Sequence, residues 1–60
     1  MPYRDWLLYS AGRAASARDR LLDDARRALS SDVRRLSVQL AREWHRDACR
    51  TLSMARDLPQ

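Results

Sequence analysis

Apolar positions in the second half of the chain recur at helical spacing. Val33, Leu36, Leu40, Trp44, Ala48, Thr51, Ala55 and Leu58 fall along one face of a helix, and Arg35, Arg42, Arg46 and Arg50 fall on the other. The first half keeps the same period through Leu7, Leu8, Ala11, Ala14, Ala15, Leu21, Leu22, Ala25, Ala28 and Leu29. Pro2 suits a first helical position, and Asp5 lies in the first turn, where the helix dipole favours a negative charge. The pattern predicts a helix over about 3–29. Gly12 costs it about 1 kcal/mol of propensity without ending it; a kink or short break near Ser10 to Arg13 is the alternative.

The pattern is interrupted at Ser30-Ser31-Asp32, which predicts a tight turn at 30–31 with Ser31 or Asp32 capping a second helix over about 32–57. Pro59 ends that helix by disfavouring helical geometry at Leu58. The fold expected is all-α, an antiparallel two-helix hairpin occupying residues 1–60 as one domain. A single unbroken helix competes with it, because Leu22, Ala25, Leu29, Val33, Leu36 and Leu40 keep phase across the turn. A faint echo relates Arg4-Asp5-Trp6 to Arg42-Glu43-Trp44, too short to define a repeat.

Length adds a requirement that the pattern alone does not. A chain of 60 residues buries only about 60% of its unfolded surface and needs a staple. A lone cysteine, Cys49, rules out an internal disulfide. Self-association remains, with Leu22, Leu29, Val33, Leu36, Leu40, Trp44 and Ala48 as the shared core of a homodimeric four-helix bundle. No apolar run is long enough for a membrane span, and Met1 to Asp5 lacks a secretory pattern, so the expected setting is the cytoplasm. All 12 basic residues are arginine, and lysine, isoleucine, phenylalanine and asparagine are missing. Their codons are AT-rich, which points to a GC-rich bacterial or phage genome. The net charge of +4 and pI of about 10.6 favour acidic partners without choosing between protein and nucleic acid.

Candidate chemistry is sparse. Ala11, Gly12, Ala14, Ala15 and Ala17 mark a close approach of two helices. Arg18 lies within the apolar stripe of the first helix, which calls for a carboxylate partner such as Glu43 or Asp47, or for a stem lying over apolar surface with its charge in water. Trp6 and Tyr9 fall off that stripe on the side of Arg13, Arg20 and Arg27, and aromatics beside arginines are what protein interfaces are enriched in. The stripe Arg35, Arg42, Arg46, Arg50 has the charge to follow phosphates. Acidic neighbours dilute it through pairs such as Glu43 with Arg46 and Asp47 with Arg50. His45 and Cys49 are four residues apart, half of a tetrahedral metal site at most, and no metal or cofactor is expected. Asp23-Asp24 before Arg26-Arg27 reads as intrahelical ion pairing.

These features predict a non-enzymatic, protein-binding inhibitor or adaptor, whose partner-binding residues are Trp6, Tyr9, Arg13, Arg20, Arg35, Arg42, Arg46 and Arg50. A dimeric nucleic-acid binder using the arginine face is the alternative.

Overall fold

The chain forms two helices, α1 (Tyr3–Arg27) and α2 (Ser31–Arg56), in a computed structural model that describes residues 2–59. They pack antiparallel as one hairpin measuring 47 × 16 × 10 Å, and the single-helix alternative falls away. Pro2 precedes α1, and its carbonyl accepts the Trp6 N–H at 3.1 Å. Gly12 lies inside α1, which runs unbroken from Tyr3 to Arg27.

The first helix stops two residues earlier than the periodicity suggests. Ala28 is already extended, and Leu29 is fully exposed at the tip of the turn. The cap of α2 is Ser30, one residue ahead of the two candidates, with its hydroxyl accepting from the Val33 N–H at 3.5 Å. Ser31 and Asp32 are therefore the first helical residues, and Asp32 contributes its charge to the first turn. Arg34 reaches back and donates to the Ala28 carbonyl at 3.1 Å, satisfying an acceptor that the end of α1 would leave free.

The inside of the hairpin is made of small residues. α1 buries Leu7, Ala11, Ala14 and Ala25, and α2 buries Ser37, Ala41, Ala48 and Ala55. Ala41, Ala48 and Ala55 are seven apart, as are Leu7 and Ala14, which is the spacing of a seam between two helices that wind gently about each other. Small side chains let the backbones approach closely, as the alanine-rich stretch of α1 foretold. The cost is a thin core. Each alanine removes about one methyl group from water, about 0.8 kcal/mol, whereas a leucine contributes about 1.5–3 kcal/mol. Leu7, at 2% exposure, is the one large side chain among the buried residues.

The stripe expected to be the dry side of α2 is thus only partly dry. Ala48 and Ala55 are buried, but Val33, Leu36, Leu40 and Trp44 stay exposed, as do Leu22 and Leu29 from the same expected core. The reason is angular. Ser37 and Ala41 each follow Leu36 and Leu40 by one residue, so near the turn the buried seam lies about 100° round the helix from the leucines.

Candidate functional site

Where α1 and α2 meet, the half of the hairpin nearest the turn carries a surface groove of about 600 Å3. Leu22 comes from α1, and Val38 and Ala41 from α2; together they give it an apolar floor. Arg18 and Asp19 border it from α1, and Arg42, His45 and Arg46 from α2. Val38 continues into two neighbouring hollows, one bordered by Arg34, Arg35 and Arg42, the other by Leu22, Ala25, Arg26 and Arg34.

Arg18 is the pivot of the groove. It occupies a seam position of α1, seven residues after Ala11 and seven before Ala25, where the pattern would place another alanine. Its guanidinium turns outward and pairs with Asp19, Nε to Oδ1 at 3.0 Å. Its Nη1 donates to Nδ1 of His45 across the hairpin at 2.8 Å. The partner is therefore neither Glu43 nor Asp47, whose positions lie on other sides of α2. The other ring nitrogen of His45, Nε2, lies 3.6 Å from the Cys49 sulfur. His45 and Cys49 thus form one outward-facing chain of polar contacts with Arg18. No group of three or more metal-ligating side chains is found among the described residues.

The eight partner-binding candidates separate into distinct places. Arg35, Arg42 and Arg46 gather at the groove and its neighbouring hollow. Arg50 is held by Asp47 at 2.9 Å, the pair expected from their i, i+3 spacing. Tyr9, Arg13 and Arg20 line a separate trough on α1 together with Gly12, Ser16 and Ala17. There Arg13 sits 6.0 Å from the Tyr9 ring centre and donates to its hydroxyl at 3.4 Å. Trp6 stacks on Tyr3 one turn earlier, with ring centres 6.4 Å apart and planes within 10°. This aromatic end lies about 18 Å along α1 from Arg18, twelve residues at 1.5 Å each.

Single-helix reasoning missed Arg18, Leu22 and Val38 as parts of one site, because the groove exists only once the two helices are paired. The available signal was Arg18 breaking an otherwise small-residue seam. Comparison with protein families, with characterised proteins and with solved structures finds no match to this chain. No helix among the described residues is long and apolar enough to cross a membrane.

Proposed function

We propose that the chain is a small non-enzymatic protein-binding module that acts as a homodimer, two hairpins closing into a four-helix bundle that inhibits or adapts a larger protein. The observation that carries this reading is the surface the hairpin leaves uncovered. The chain exposes 4992 Å2, whereas a compact monomer of its 7.0 kDa mass exposes about 4,000 Å2. The excess, roughly 950 Å2, is close to the ~800 Å2 that each partner contributes to a standard-size interface. The exposed residues include large apolar side chains, Val33, Leu36, Leu40 and Trp44 along α2 and Leu29 at the turn.

Charge supports the choice of face. The groove side would bring the arginines of two copies together, and like charges oppose that contact. The leucine side of α2 carries mixed charges, with Glu43, Asp47 and Arg50 beside the stripe, and tolerates a symmetric contact. Self-association there leaves the arginine groove free for the target. A cytoplasmic setting accords with an unpaired thiol at Cys49.

Light scattering over a dilution series, with helicity followed by circular dichroism, tests the reading. A mass of two chains that falls, together with helicity, on dilution is the expected result. A stable, fully helical monomer at every concentration would remove the dimer from the proposal.

A further inference from the structure

Carboxylates and arginines are unevenly shared over this surface. Asp19 pairs with Arg18, Asp23 with Arg27, Asp47 with Arg50 and Asp57 with Arg56, each within 4.0 Å. Among the described residues eight arginines have no carboxylate within that distance: Arg4, Arg13 and Arg20 on α1, and Arg26, Arg34, Arg35, Arg42 and Arg46. The last five border the groove or the two hollows that share Val38 with it. The one acid on the rim, Asp19, is already engaged by Arg18. Five of the eight unpaired arginines are thus gathered around a floor of Leu22, Ala25, Val38 and Ala41.

We propose that this groove docks a short, acidic, amphipathic helix of a partner protein. This deepens the protein-binding reading above and rests on it. A trough between two packed helices has the shape that a third helix fills, ridge into groove, with its apolar stripe inward. From Arg34 to Arg46 the site runs twelve residues of α2, about 18 Å, so the docked segment spans about three turns. Its apolar residues cover Leu22 and Val38, and carboxylates on its flanks meet Arg34 and Arg42, where guanidinium and carboxylate pair in bidentate fashion. A nucleic-acid backbone has charge for the rim but no apolar stripe for the floor. An anionic bilayer is flat, whereas the floor is recessed beneath the arginines. A second copy brings its own arginines to the same place.

The test uses the full chain and a fluorescent synthetic peptide of about 14 residues, with leucines at helical spacing and glutamates on both flanks. A peptide of equal composition without the stripe, a short DNA duplex and phosphatidylglycerol vesicles serve as competitors, all at about 150 mM salt. Binding of the patterned peptide at least roughly tenfold tighter than any competitor, and weakened by a similar factor in the Arg42→Glu/Arg46→Glu variant, is the expected result. Val38→Gln should weaken the patterned peptide and leave the unpatterned one unchanged. Equal binding of both peptides, tighter binding of DNA or vesicles, no binding of any probe, or indifference to the charge reversal overturns the proposal. Light scattering on the same samples separates the two readings: a dimer that ignores the peptide sinks the groove alone, and a monomer that binds it sinks the dimer alone.

Discussion

Replacing Leu36 with glutamine isolates what the exposed stripe contributes to assembly. Leu36 is 57% exposed in the hairpin, so the larger share of its burial is left to assembly, and glutamine keeps good helix propensity. Burial of a whole leucine contributes about 1.5–3 kcal/mol, and the exposed share of it about 0.9–1.7 kcal/mol per copy. A two-fold interface contains the residue twice. The dimer should therefore lose about 1.7–3.4 kcal/mol, a rise of roughly 20- to 300-fold in its dissociation constant. Sedimentation equilibrium over a concentration series reads that shift directly. Circular dichroism at the highest concentration should show unchanged helicity. A dissociation constant within about threefold of the parent, below about 0.7 kcal/mol, would refute the assignment of this face to the dimer.

Three further outcomes test the hairpin itself. A Cβ at Gly12 meets nothing within 4 Å, so Gly12→Ala should add about 1 kcal/mol and raise the melting temperature by about 4–8 °C; a lower melting temperature would mean that α1 bends there. Leu7→Ala should cost about 2–5 kcal/mol in denaturant unfolding, and a loss below about 1 kcal/mol would show that the end of the seam is wet. Ser30→Ala should cost about 0.5–1 kcal/mol through the lost cap of α2, with Ser30→Asp restoring it; equal stability of all three would show that the cap is idle.

Both helices and the turn between them were legible because helical periodicity, Pro59 and the serine pair act locally. The cap slipped by one residue because Ser30, Ser31 and Asp32 are chemically equivalent choices, and only the path of the chain into α2 selects among them. The buried face of α2 was harder to read. Hydrophobicity gives most weight to the largest side chains, and Leu36 and Leu40 therefore drew the stripe towards themselves. Close helix packing selects for small volume, which put Ser37 and Ala41 inside. At the open end the two criteria agree, and Ala48 and Ala55 lie on both lines. The arginine face was visible as a stripe on α2, but its union with Arg18 and Leu22 depends on the pairing of two helices and has no signature within either one.

The alanine seam ties the lifetime of this protein to its company. A seam of single methyl groups holds the isolated hairpin weakly, and proteases act on the fraction of time a chain spends open. A partner that binds only the folded hairpin lengthens survival by a factor of one plus its free concentration over its dissociation constant. If the hairpin binds a partner as proposed, copies made in excess of that partner are the ones removed first.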